Sequence, residues 1–293
     1  MKVKNWTKQV VILPAVTLVA GLSLFVGCAS DGSSPITLGS IGEVVGGQWG
    51  AGMKGTQALI NSETMGEKDE NPIGESVGVA VTAQYGLADN AQLQKYVNLV
   101  GLTVVTGSPR DGKNWSFGVV NSAEINAFSG PNGYVMITRG AIEQMKDESE
   151  LAGVLAHEIA HVCLQHGLNA VKNSQRGKAL GEFAAAADAE RGQLFKAAAD
   201  VSVDAITKTG YDQPSEFAAD NAGIDYVIEA GYDPHGLVNF LKRIEPKAKA
   251  GGGLSTHPGI DQRITKLEAK IAGKGNVGGA TLAARFATWT KAK

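Results

Sequence analysis

The sequence predicts an α+β domain, predominantly helical, with a small antiparallel sheet. Three observations lead there: long stretches with apolar residues at helical spacing, two short β-rich runs, and a helix-forming segment that carries two histidines and a glutamate within its apolar pattern. Leu93, Tyr96, Val97 and Val100 follow helical spacing, which predicts a helix from Ala91 to about Thr106. Trp115 to Val120 and Gly133 to Thr138 are β-rich, and Ser129 to Gly133 between them reads as a turn. Asp147 with Glu150 three residues on reads as a capping box. Leu151, Val154, Leu155 and Val162 then supply an apolar stripe, and Gly167 is placed to end the helix. Leu168 to about Thr209 is Ala-rich and predicts one or two long helices. A further helix should carry Glu216 and Asp220 and stop near Gly231. Asp233-Pro234 starts the next, with Leu237, Phe240, Leu241 and Ile244 on one face. Ile260, Ile264, Leu267 and Ile271 mark a last helix after Thr256-His257-Pro258.

The ends read differently. Lys2, Lys4 and Lys8 precede an uncharged apolar run from Val10 to Gly27, the layout of a secretory signal over residues 1–27. The run is about 18 residues, so an uncleaved membrane anchor competes with cleavage. Leu24 to Cys28 followed by Ala29-Ser30-Asp31 resembles a bacterial lipoprotein signal, which implies a lipidated Cys28. The two acyl chains of a diacylglyceryl group are enough for stable anchoring. Ala29 resembles the signal that sorts lipoproteins to the outer membrane, so the expected place is the bacterial cell envelope, facing the periplasm. Residues 28–75 are expected to form a Gly/Ser-rich tether that holds at most one short helix, 76–275 the domain, and 276–293 a loose tail. With Cys28 lipidated, Cys163 stands alone and reads as a small buried apolar side chain. A net charge of −2, no block of Lys/Arg and 6% aromatic residues exclude a nucleic-acid surface.

His157-Glu158-Ile159-Ala160-His161 is an H-E-x-x-H motif. Residues four apart on a helix lie ~40° apart in projection and ~6 Å along the axis, so both imidazoles can reach one metal ion. Glu158 then points beside the ion, which suits a carboxylate that takes a proton from water without being a ligand. A zinc hydrolase needs a third protein ligand, and Glu216 is the better candidate. Asp220, one turn later, can accept a hydrogen bond from the far nitrogen of a ligand imidazole. Taken alone, such an E-x-x-x-D pair is a solvated helix face; the upstream motif favours the metal reading. Leu164 and Gly167 exclude the extended motif with a third histidine. His166 lies ~140° around the helix from His161, where it should bond the last carbonyls instead. His235 beside Asp233-Pro234 has only a structural reading.

Several ordered segments carry a resemblance: Asn126-Ala-Phe128, Tyr134 to Gly140, Glu150 to His161, Glu216-Phe-Ala-Ala-Asp220, Ala230 to Pro234 and Ser255 to Pro258. Across about Asn90 to Ala272 they resemble the HtpX and CAAX prenyl endopeptidase-like gluzincin metallopeptidases, and more narrowly their periplasmic lipoprotein branch. The resemblance implies one zinc ion per chain on His157, His161 and Glu216, with Glu158 as general base and Asp220 behind a ligand. It also implies an edge strand along the active-site cleft, where Asn126, Tyr134, Val135 and Met136 bind a polypeptide substrate as an added strand. His257 is implied to lie near the site, where it stabilises the oxyanion or closes the open zinc position in a latent form; Arg263 is a weaker candidate for charge in the same cleft. Ala218 replaces a common acidic residue, and Ser129-Gly130 alters the usual turn. The implied function is a membrane-anchored zinc endopeptidase for unfolded or misassembled envelope proteins. The competing expectation is a lipoprotein chaperone working with outer-membrane protein assembly machinery, its cleavage latent or residual.

Overall fold

In the computed structural model, the described residues are 66–173, 210–249 and 256–290. The proposed signal, Cys28 and the Ala-rich 174–209 segment lie outside them. Among the described residues the elements with both ends described run in the order α1 (Glu67–Tyr85), α2 (Ala91–Val105), β1 (Ser116–Val120), β2 (Ala127–Gly130), β3 (Tyr134–Thr138), α3 (Arg139–Gln144), α4 (Glu148–Cys163), α5 (Gln213–Glu229), α6 (Gly236–Lys249), α7 (Ile260–Gly273) and α8 (Ala283–Thr290).

Helix α4 is the axis of the domain. Asp147 caps it by accepting from the Glu150 amide at 3.1 Å, as the capping box predicts. The return bond of Glu150 goes to the Lys146 amide, and its carboxylate also meets Arg243 of α6. Every residue from Glu148 to Val162 is buried. A helix buried all round must find partners for each polar group it carries. Glu148 finds them in Tyr96, Tyr232 and Arg285. Helices α5 and α6 pack along α4. At Gly223 a Cβ would come 3.3 Å from the backbone of Ala156 and His157, so this glycine lets α5 approach α4 beside the first motif histidine.

The helix ends earlier than Gly167. Leu164 is its C-cap and Gln165 takes a left-handed φ of 58°. Helical turns resume over residues 166–173, where Leu168 and Val171 bury against Ile73 of α1.

The sheet order is β1-β3-β2, with β1 parallel and β2 antiparallel to β3. This corrects the expected sheet in two ways: it is mixed, and the strand of Tyr134, Val135 and Met136 is central rather than an edge. The cause is the reach of the first strand of the hairpin. Gly130 is extended at φ −94°, ψ 157°, and the turn is confined to Pro131–Gly133, with Asn132 at φ 61°. Ser129 and Gly130 are therefore strand residues, and β2 is the edge beside α4.

Both ends of the domain are longer than expected. Helix α1 begins at Glu67, inside the expected tether, and its Ile73, Val77 and Val81 are buried. Glu70 is held by Arg110 at 2.6 and 3.0 Å and by Gln165 at 2.9 Å. At the other end the expected loose tail contains α8, with Phe286 buried and Trp289 stacked on Tyr96 at 5.6 Å.

Candidate metal centre

Four elements converge on one point. Helix α4 brings His157, Glu158 and His161, α5 brings Glu216 and Asp220, α7 brings Arg263, and the segment before α7 brings His257; all are buried. Ligand atoms of His157, His161, Glu216 and His257 lie within 4.8 Å of one another.

Hydrogen bonds fix how each ring faces. Asp220, an acceptor, stands 2.9 Å from His157 Nδ1, so that nitrogen carries the proton and Nε2 turns its lone pair inward. His161 Nδ1 meets His166 Nδ1 at 2.8 Å, leaving its Nε2 3.0 Å from that of His157. His257 places Nε2 near two acceptors, the Ala127 carbonyl at 3.4 Å and Glu158 Oε1 at 3.5 Å. Its Nδ1 faces His157 Nε2 at 3.3 Å and Glu216 at 3.2 Å. Glu216 oxygens stand 3.4 Å from Nε2 of both motif histidines.

These separations test whether a metal fits. Donors bound tetrahedrally at the usual zinc–nitrogen and zinc–oxygen lengths sit roughly 3.3 Å apart; five of the six pairs here, counting either Glu216 oxygen, are 3.0–3.4 Å apart, and all lie within 4.8 Å. Inward lone pairs at that spacing repel unless a cation lies between them. Glu158 stands outside the set: its Oε2 is buried without a partner.

Arg263 ties the site together. It donates to both Asp220 oxygens at 2.7 and 2.8 Å and lies 2.9 Å from Glu216. Burial works against charge on Asp220 and Glu216. Arg263 and His157 hold the Asp220 carboxyl far below the usual range, and His257 with His157 does the same for Glu216. Among the protein atoms alone, burial and Arg263 oppose a charge on His157, but Glu216 and Asp220 outweigh them and raise it to about 9. Burial, then the charge on His157, pushes His161 well below the ordinary imidazole value. One proton thus stands where donors converge, which is the charge a cation would replace.

A model of peptidase family M48 matches residues 89–271. The chain belongs to peptidase family M48. It is 28% identical over 191 residues to the β-barrel assembly-enhancing protease of Escherichia coli K12, a match that covers 61% of this chain and 39% of that protein. It is 26% identical over 179 residues to the metalloprotease YcaL of the same organism, covering 59% and 69%. The chain thus spans about two-fifths of the length of the assembly-enhancing protease.

In this M48 chain the structure brings His157, Glu158, His161, Glu216 and Asp220 around one point, and His257 joins them. His166 does not bond helix carbonyls as expected; the break at Gln165 swings it onto His161. Cys163 is half-buried rather than enclosed. Asn126 is buried, and its amide oxygen accepts from the Ala127 amide at 3.0 Å and Thr256 Oγ1 at 3.1 Å, so it anchors the His257 segment. Tyr134 and Met136 lie on the α1 face of the sheet, and Val135, opposite Ser129, is buried in the core. Tyr134 packs beneath Gly74 and Gly78 of α1, Val135 is enclosed, and Met136 packs with Val77 and Phe128. Tyr211, which no motif singles out, stacks on His161 at 4.4 Å, and Arg263 carries more of the site than a weaker candidate would. Gly210 makes the first possible: at φ 70°, with the Thr256 carbonyl where its Cβ would be, it brings Tyr211 against the His257 segment.

The site is closed. The cavity beside His157, Glu158, His257 and Arg263 is about 20 Å³, room for roughly one water molecule and not for a peptide. Among the described residues no helix is long and apolar enough to cross a membrane.

Proposed function

We propose that the chain is a zinc-dependent endopeptidase, one ion per chain, acting on unfolded or misassembled proteins of a bacterial envelope. The observation that carries this is the inward-facing donor set with an unpartnered Glu158 carboxylate beside it. His157, His161 and Glu216 would hold a zinc ion, which would supply Lewis acidity to polarise the scissile carbonyl and acidify a neighbouring water. Glu158 Oε2 takes a proton from the attacking water, whose oxygen bonds to the carbonyl carbon. As the C–N bond breaks, Glu158 returns the proton to the leaving nitrogen. His257 Nε2, in reach of Ala127 and Glu158, supports the charge on the substrate oxygen. Asp220 and Arg263 hold His157 and Glu216 in place.

The substrate docks as an added strand along β2, whose main-chain hydrogen bonds favour extended, unfolded clients with little regard to sequence. The lipoprotein-like signal supports anchoring through Cys28 at the outer membrane, facing the periplasm. The relative named for β-barrel assembly supports outer-membrane proteins and their assembly machinery as partners. The test is cleavage of unfolded casein by the metal-loaded chain. Chelation should stop it, and Glu158→Gln should stop it with zinc still bound; unchanged turnover in that variant refutes the mechanism.

One observation favours a second reading, in which the chain assists assembly and cuts only when opened. His257 Nδ1 stands with the ligand atoms of His157, His161 and Glu216, and the cavity beside them is about 20 Å³. Client binding by Glu158→Gln, together with negligible cleavage by wild type, would select it.

A further inference from the structure

Two hydroxyls close to the centre are buried without a partner: Ser129 Oγ and Tyr211 OH. Unpaired buried polar atoms are rare in native proteins and each one calls for a cause. These two occur together. Ser129 lies on β2, and with Ala127 it forms the side of that strand opposite Phe128, which packs instead with Val77 and Val81 of α1. Ser129, Gly130, Pro131, His161 and Gly167 line a cavity of about 10 Å³. The Tyr211 hydroxyl lies beside one wall of it: a Cβ built on Gly167 would lie 3.2 Å from that hydroxyl and 3.3 Å from Pro131 Cδ. The phenol ring is fixed by stacking on His161, so the hydroxyl is aimed rather than free to swing.

The position along the strand gives the pair its meaning. The Ala127 carbonyl is 3.4 Å from His257 Nε2, which places the reacting end of β2 at Ala127. Ser129 is two residues further on, ~7 Å along an extended chain. We propose that Ser129 and Tyr211 form a subsite that hydrogen-bonds the main chain of an extended peptide two residues from the scissile bond. Tyr211 donates to a peptide carbonyl, and Ser129 serves as donor or acceptor to the adjoining peptide group. Neither residue touches the reacting atoms; both are positioning residues. The inference rests on the endopeptidase reading and names how its substrate is held.

The test uses the full zinc-loaded chain and a fluorescent peptide ladder shortened one residue at a time on each side of a mapped cleavage site. Affinity is read by anisotropy in the Glu158→Gln background, and kcat/KM in the active chain. Tyr211→Phe and Ser129→Ala should each weaken binding and kcat/KM about two- to tenfold for peptides that reach the subsite. The penalty should vanish once the ladder ends one residue from the scissile bond on the side that runs along Ser129. Zinc content and Tm should not move. A penalty equal for long and short peptides, or none, overturns the subsite, and marks the hydroxyls as partners of a single buried water. If the active chain cuts but the ladder shows no such step, the subsite alone fails; if no peptide is bound or cut, the endopeptidase reading fails with it. Ser129→Ala removes only an oxygen, so it keeps the test decisive should Tyr211→Phe disturb folding.

Discussion

Replacing Arg263 with Met removes a cation that is 1% exposed, with Asp220 at 3% and Glu216 at 0%, and puts an apolar chain of similar length in its place. The guanidinium donates two charged hydrogen bonds to Asp220 and stands 2.9 Å from Glu216. Removing one partner of such a buried pair leaves an uncompensated charge, which costs about 3–5 kcal/mol. Because all three groups are enclosed, solvent screening does not reduce that figure. For a domain of this size each kcal/mol moves Tm by about 2–4 °C, so Arg263→Met should lower it by roughly 6–20 °C.

Metal content decides how much of this is seen. In chelator, Glu216 and Asp220 lose the Arg263 charge and share only the proton on His157, so the larger drop is expected. With zinc bound, the ion neutralises Glu216 and part of the loss should return. The assay is thermal unfolding of wild type and variant, each with chelator and with zinc. Adding Asp220→Asn to the variant removes one orphaned charge and should recover stability, a coupling that a mutant cycle measures. A Tm within about 2 °C of wild type in chelator would refute the claim that Arg263 neutralises the site.

Chelation of the wild-type chain should itself lower Tm, since whatever binds only the folded state stabilises it by mass action, and His161→Ala should abolish that metal dependence. Glu148, despite burial, has its carboxyl lowered by Arg285, Tyr232 and Tyr96. A lowered folded value stabilises above the unfolded value and is lost as pH falls through the folded one, so the Tm gap between wild type and Glu148→Gln should be open at neutral pH and close below the ordinary carboxylate range. Gly210→Ala meets both the Thr256 carbonyl and a φ of 70°; it should displace His257 and change the ligand set seen by cobalt substitution, while an unchanged spectrum would detach Gly210 from the centre. Phe286→Ala should cost about 3–5 kcal/mol if α8 belongs to the folded domain, read from the denaturant midpoint.

What the chain discloses without its fold follows from the range of each signal. The H-E-x-x-H spacing is a property of one helix, so it fixes His157, Glu158 and His161 before anything else is known. Glu216 and Asp220 share one face by the same arithmetic, and only their partner had to be inferred. Strand β2 was hidden because Ser129 and Gly130 are turn formers by type, and only pairing with Val135 and Tyr134 makes them strand. Helix α8 was hidden because eight residues do not sustain a helix alone. Phe286 and Trp289 gain their meaning from Tyr96, which no local pattern reveals.

Arg263 is the instructive case, because its signal was present. Ile260, Ile264, Leu267 and Ile271 define the buried stripe of α7, and Arg263 falls inside it, three residues after the first and four before the third. A charge on an apolar face leaves only two outcomes: the helix turns it to solvent at the expense of the stripe, or a countercharge waits in the core. With Glu216 and Asp220 already placed on the inner face of another helix, each carboxylate demanded a cation and the stripe offered one. The same reasoning applied to Tyr211 would have failed. Its hydroxyl gains significance from lacking a partner, and the absence of a contact is a fact about three dimensions that no spacing rule encodes.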